Sequence, residues 1–150
     1  MIFSKEQLFT PDTSTGQQLA ATTPTVSSNV IDLGIPGTVR GGPAKLIRDI
    51  GPGEPVAVSV TANPTGGANT MTVELIQSTV AAMTSPDVLG TSRATTLAAG
   101  KPVQFGFNFL PDGITKQFIA LRFTLGTATN VNIDAGITAG KQSNVTVAAA

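Results

Sequence analysis

Apolar and polar residues alternate with a period of two from Asn29 onward, in short runs that Gly, Pro and Asn separate. Successive side chains of a β-strand point to opposite faces, so this alternation predicts strands with one buried face. No pattern of helical period continues for the length of about ten residues that a globular helix needs. Short strands with a turn every eight to twelve residues or so are typical of sandwiches and barrels. The chain is therefore predicted to be an all-β, antiparallel β-sandwich.

The turn residues predict how the strands are joined. Residues 55–62 and 70–77 are predicted to form one hairpin through the Pro-Thr-Gly-Gly turn at 64–67. Residues 103–109 and 117–125 are predicted to form a second hairpin through Pro-Asp-Gly. Two further strands are predicted at 29–33 and 131–137, and most of 78–99 is predicted to be irregular. One face of the strand 103–109 is rich in aromatic residues and is expected to be core or interface: Phe105, Phe107 and Phe109.

The first 28 residues differ from the rest of the chain. An apolar beginning is followed by a stretch rich in Thr, Ser, Pro and Gly with little periodicity. We expect residues 1–28 to form an extended N-terminal arm and residues 29–150 to form a single β-sandwich domain. Ordering such an arm costs about 1–2 kcal/mol per residue, so it gains stability only where a surface receives it.

Composition excludes several kinds of chemistry. The chain has no Cys, His, Trp or Tyr, which removes disulfides, Cys/His zinc sites and mechanisms that use a thiolate or an imidazole. Nine basic residues balance nine acidic residues, and this zero net charge argues against nucleic-acid binding. Only 12% of the residues are charged, about half of the usual fraction. A neutral surface of this kind protects poorly against association and indicates an assembled protein.

The acidic residues occur singly, and no catalytic pair is evident in the sequence. A glycosidase would need two carboxyl groups about 5–10 Å apart across a cleft, and sequence alone leaves such a meeting open. An oxygen-ligated calcium site would need several acidic residues at close spacing, and none occurs. We expect no enzyme activity, no metal and no cofactor. No export signal and no membrane-spanning run are evident, so synthesis in a cytoplasm and no membrane partner are expected.

Five phrases of the sequence, in this order, resemble the small capsid cement proteins of tailed bacteriophages: MIFSKEQLF at 1–9, SNVIDLG at 28–34, RDIG at 48–51, LPDGIT at 110–115 and AGITAG at 135–140. The resemblance extends over nearly the whole chain. It implies a jelly-roll β-sandwich that forms a homotrimer on the outer surface of an icosahedral shell. There it would hold neighbouring major capsid proteins together, near local threefold positions and without enzymatic activity. The bacterial host cytoplasm would be its place of synthesis and the virion its location.

Two sets of residues are candidate contacts with a neighbouring subunit or with the capsid. The first set is apolar, lacks a local core, and is expected to attach the arm: Ile2, Phe3, Leu8 and Phe9. The second set is Arg48 and Asp49, which form either an inter-subunit or capsid ion pair or a solvated turn pair worth about 0–1 kcal/mol.

Other functions remain as alternatives. A phage spike or lectin-like module that binds a glycan is the first, although the absence of Trp and Tyr argues against it. A cell-surface or pilus-like subunit is the second, and an enzyme is the last.

Overall fold

The computed structural model describes residues 7–13, 16–35, 56–66, 69–107 and 113–139. These residues form ten β-strands and no α-helix. In chain order the strands are β1 (Gln17–Leu19), β2 (Thr25–Val26), β3 (Ile31–Asp32), β4 (Val56–Pro64), β5 (Asn69–Ser78), β6 (Asp87–Thr91), β7 (Thr95–Leu97), β8 (Val103–Phe107), β9 (Phe118–Leu125) and β10 (Val131–Ala139).

The strands form two antiparallel sheets. Sheet A has the order β1-β10-β4-β8. Sheet B has β9 and β5 at its centre, with β2 and β3 along the free side of β9 and β6 and β7 along the free side of β5. Each pair of short strands therefore acts as one interrupted edge strand, so both sheets are four strands wide.

The chain changes sheet at most of its connections. It begins in sheet A with β1, visits sheet B with β2 and β3, and returns to sheet A with β4. The later strands also alternate between the two sheets. β5 to β7 and β9 lie in sheet B, whereas β8 and β10 lie in sheet A. This strand order is jelly-roll-like. The predicted all-β, antiparallel β-sandwich is confirmed.

The core lies between the two sheets and is built by the alternation described above. Inward-facing residues of the four central strands are at most 4% exposed: Val58, Val60 and Ala62 of β4, Met71, Val73 and Leu75 of β5, Ile119, Leu121, Phe123 and Leu125 of β9, and Val131, Ile133 and Ala135 of β10. Burial of each large apolar side chain contributes about 1.5–3 kcal/mol. Most of the stabilisation therefore comes from these strands.

Both predicted hairpins are wrong. β4 pairs with β10 and β8 in sheet A, whereas β5 pairs with β9, β6 and β7 in sheet B. β8 and β9 are likewise in different sheets. Period-two alternation requires only that one face of a strand is buried, and two consecutive strands meet this requirement equally well by facing each other across the core.

The predicted irregular segment 78–99 is only partly irregular. Its second half contains β6 and β7, which pair with β5, and its first half contains a loop in which Met83 and Ser85 have φ angles of 51° and 49°. Met83 packs with Ile76 and Ala120 in a small cluster separate from the main core. Short edge strands carry little alternation of their own, so their position is determined by the strand with which they pair.

The described part of the predicted arm lies against the sandwich. Gln17–Leu19 and Thr25–Val26 are the edge strands β1 and β2. Residues 7–13 lie along β10, where Leu8 forms an isolated bridge with Gly136. Residues 1–6 of the arm lie outside the described residues. In the described ranges, no helix has the length and apolar character needed to cross a lipid bilayer.

Candidate functional site

A groove crosses the outer face of sheet A, with a volume of about 470 Å³. Its floor comes from polar residues that alternate with the core residues of β4, β8 and β10, and its wall comes from residues 8–13. We call it the carboxylate groove, and its lining is Leu8, Thr10, Pro11, Asp12, Thr13, Ser59, Thr61, Gln104, Asp134, Ala135 and Gly136.

The wall of the groove is fixed by hydrogen bonds to β10 and to the segment before β3. The amide of Phe9 donates to the carbonyl of Ala135 over 2.9 Å, and the Thr10 hydroxyl accepts the amide of Ala135 over 2.9 Å. The side chain of Asn29 donates to the Thr10 carbonyl, also over 2.9 Å. Phe9 is fully buried in the main core and anchors the segment from below.

Two carboxylates, Asp12 and Asp134, are the charged groups among the residues that line this groove. Burial raises the pKa of Asp134 above its ordinary value of 3.8. Gly16 contributes to this burial, since a Cβ atom at that position would lie 2.3 Å from Oδ1 of Asp134. Gln104 donates from Nε2 to the Ser59 hydroxyl over 2.9 Å. Carboxylate, hydroxyl and amide groups in one groove suit a ligand rich in hydroxyl groups.

Metal binding has little support from the described residues. No group of three or more His, Cys, Asp or Glu side chains comes together within them. The two carboxylates of the groove are fewer than the oxygen ligands that calcium takes.

A second candidate surface lies at one lateral edge of the sandwich, where β8 of sheet A faces β6 of sheet B. Its apolar residues pack against the core but remain half-buried: Val103, Phe105 and Phe107 of β8 and Leu89 of β6. We call these four residues the aromatic seam. Gly90 lies next to it, and a Cβ atom there would be 3.6 Å from the ring of Phe107. Within the part of the chain that the structure describes, the seam is a half-buried margin of the core.

The opposite lateral edge is closed by polar contacts. Gln17 of β1 donates from Nε2 to the carbonyl of Val26 in β2 over 3.0 Å, and its Oε1 accepts the amide of Ser28 over 2.8 Å. These bonds join sheet A to sheet B. Ile35, three residues after the end of β3, is 82% exposed.

Of the residues predicted as contact sites, Leu8 and Phe9 are within the described part of the chain, and their surroundings differ. Leu8 is half-buried and lines the carboxylate groove, whereas Phe9 is fully buried in the core of its own chain and offers no surface to a neighbour. The remaining four lie outside the described residues: Ile2, Phe3, Arg48 and Asp49.

Sequence reasoning missed the groove because Asp12 and Asp134 lie near opposite ends of the chain, and only the fold brings both to one groove. The aromatic seam had a signal in the sequence, since the Phe-rich face of residues 103–109 was expected to be core or interface. In the structure, the described part of this face is half-buried. Its side chains are thus less buried than those of the core and less exposed than those of a free surface.

The chain matches no protein-family model and no curated protein.

Proposed function

We propose that this chain is a structural cement protein of a tailed bacteriophage. As a homotrimer it binds the outer surface of the icosahedral shell and stabilises contacts between the major capsid proteins. The resemblance of five sequence phrases, spread from residue 1 to residue 140, supports this proposal. The jelly-roll-like sandwich agrees with the fold that the resemblance implies.

The observation that carries the proposal is the aromatic seam. Phe105 and Phe107 belong to an edge strand that pairs with β4 alone among the described strands. β8 contains no charged residue and no proline, which are the usual devices that protect an edge strand from association. An edge strand with half-buried aromatic residues and no charge of its own fits a protein that works by contact with other chains.

Weak contacts suffice for such a protein. A homotrimer presents three copies of each surface, so the first contact with a shell raises the effective concentration of the other two. Avidity of this kind can exceed the affinity of a single contact by about 10²–10⁴. The neutral chain can therefore bind firmly without a strongly charged interface.

The proposal is tested with purified protein and phage shells that lack it. We expect the protein to sediment with the shells and to raise their resistance to heat or chaotrope. A neutral protein of similar mass, mixed with the same shells, is the control and should remain in the supernatant. Failure to co-sediment at micromolar concentration with any shell, mature or immature, would overturn the proposal.

The carboxylate groove favours a second candidate function, a glycan-binding module of a phage spike or lectin type. Its hydroxyl, amide and carboxylate groups can exchange hydrogen bonds with sugar hydroxyls. A glycan array separates the two candidates. Glycan binding that Asp134→Ala and Thr61→Ala abolish, without any affinity for shells, would support this second candidate.

A further inference from the structure

The carboxylate side chains of the described residues differ in whether a donor matches them. Three are matched by a cation or by a side-chain amide: Glu74 by Arg122, Asp87 by Lys116 and Asp32 by Gln117. The other two, Asp12 and Asp134, form no ion pair and no hydrogen bond through their side chains. Both line the carboxylate groove, whose lining contains no basic residue. The groove therefore holds the unmatched negative charges of the described chain.

The floor of the groove continues this pattern with further acceptors. Asp134, Thr61 and Gln104 are cross-strand neighbours on β10, β4 and β8, and they form one row across sheet A. The Nε2 atom of Gln104 donates to the hydroxyl of Ser59, which leaves the Oε1 atom of Gln104 as an acceptor. A ligand above this row therefore meets a carboxylate, a hydroxyl and an amide oxygen.

The shape of the groove suits a long, thin group. In the row next to Asp134, Ser59 lies between Gly136 and Gly106, so no side chain stands on either side of it. Leu8 and Pro11 are half-buried and add apolar surface to the wall. Arginine and lysine side chains bury an apolar stem along such surface and keep the charged end among polar groups.

Two further observations indicate that this face of sheet A lacks donors. The Oδ1 atom of Asn132, which is two residues before Asp134 on β10 and so on the same face, is buried without a hydrogen-bond partner. Burial also raises the pKa of Asp134 above 3.8, and no neighbouring cation opposes this effect. Acceptors and negative charge are thus in excess at and beside the groove.

We infer that the carboxylate groove binds an arginine or lysine side chain of a partner protein, with the charged end at Asp12 and Asp134 and the stem along Leu8 and Pro11. Guanidinium and ammonium groups carry N–H donors, positive charge and no acceptor, which is what the groove lacks. A neutral sugar would leave both carboxylates without a counter-charge. The source of the basic side chain rests on the proposed function, which makes the shell protein the partner.

A peptide titration tests the groove without a shell. The probe is acetyl-Ser-Arg-Ser-Arg-Ser-amide, and its control has citrulline in place of arginine, which keeps the shape and removes the charge. The amide NMR signals of Thr61 and Gln104 should shift with the arginine peptide, and the citrulline peptide should bind at least about 10-fold more weakly. Equal binding of the two peptides, or no binding up to about 10 mM, would overturn the inference.

Matched charge substitutions separate the groove from the net charge of the chain. Asp134→Asn should weaken binding of the arginine peptide by about 3–10-fold, because one partly screened carboxylate is lost. Asp87→Asn removes the same charge from an exposed ion pair outside the groove and should bind the peptide like the parent. If both variants weaken binding equally, the peptide responds to net charge alone and the inference is wrong.

Sedimentation with phage shells distinguishes this inference from the proposed function. The parent and Asp87→Asn should bind the shells alike, whereas Asp134→Asn should bind about 3–10-fold more weakly. Shell binding that Asp134→Asn leaves unchanged would refute the role of the groove and leave the cement function in place. Peptide binding in the groove by a chain that ignores every shell would refute the cement function and leave the site for a basic side chain in place.

Discussion

At the scale of single residues, buried polar side chains hold the connections between strands. Gln77, at the end of β5, accepts the amides of Thr115 and Lys116 over 2.9 and 3.1 Å and donates to the carbonyl of Gly113 over 3.2 Å. Asn69, at the other end of β5, accepts the amide of Thr127 over 2.9 Å. Each amide side chain therefore ties one end of β5 to a segment that flanks β9.

Gln77→Ala should lower the free energy of unfolding by about 1–3 kcal/mol, because it leaves two amides and a carbonyl without their partner. Gln18→Ala, at an exposed position of β1, is the control and should change stability by less than about 0.5 kcal/mol. Chemical denaturation measures both variants. Equal stability of the two would show that solvent replaces the hydrogen bonds of Gln77.

Asp134 should make stability depend on pH. Burial raises its pKa in the folded state above 3.8, so the folded chain holds the proton more tightly than the unfolded chain. The resulting destabilisation is absent below pH 3.8, develops as the pH rises through the folded-state pKa, and is complete above it. Asp134→Asn should therefore gain stability relative to the parent at neutral pH but not in acid.

The gain should be less than about 1 kcal/mol, since the side chain remains largely exposed and solvent screens it. Denaturant titrations at a series of pH values from acid to neutral provide the measurement. A difference between variant and parent that stays constant across the series would contradict the assigned cause.

At the scale of elements, the sequence predicted which faces of the strands are buried better than it predicted their partners. β4, β5, β9 and β10 occur close to their predicted positions, because each is central in its sheet and alternates clearly. Sheet membership could not be predicted, since a turn of few residues can lead to the same sheet or across the core. β6 and β7 were missed because Gly, Asp and Thr interrupt their alternation.

The segment 7–13 is an element without regular structure that nevertheless belongs to the core. Phe9→Ala should lower the free energy of unfolding by about 3–5 kcal/mol, because its fully buried ring would leave a cavity under the wall of the groove. Ile35→Ala is the control, and its exposed position predicts a change within about 0.5 kcal/mol. Denaturant unfolding measures both. A small loss for Phe9→Ala would mean that the segment attaches through its hydrogen bonds alone.

At the scale of the whole molecule, pairing between strands distant in sequence predicts slow folding. Neither pair of strands that was predicted to form a hairpin does so, and β1 pairs with β10, the last of the described strands. Sandwiches dominated by such pairings fold in about milliseconds to seconds. Stopped-flow dilution from denaturant should give relaxation in this range, whereas completion within about 100 microseconds would contradict the topology.

The position of β10 has a consequence for biosynthesis. Among the described strands it is the last to be synthesised, yet it lies in the interior of sheet A between β1 and β4. β1 pairs with β10 alone among the described strands, so β1 has no described partner in sheet A until β10 has been synthesised. Nascent chains that stop before β10 therefore cannot assemble the described sheet A, and β1 and β4 remain separate edges until β10 is inserted between them.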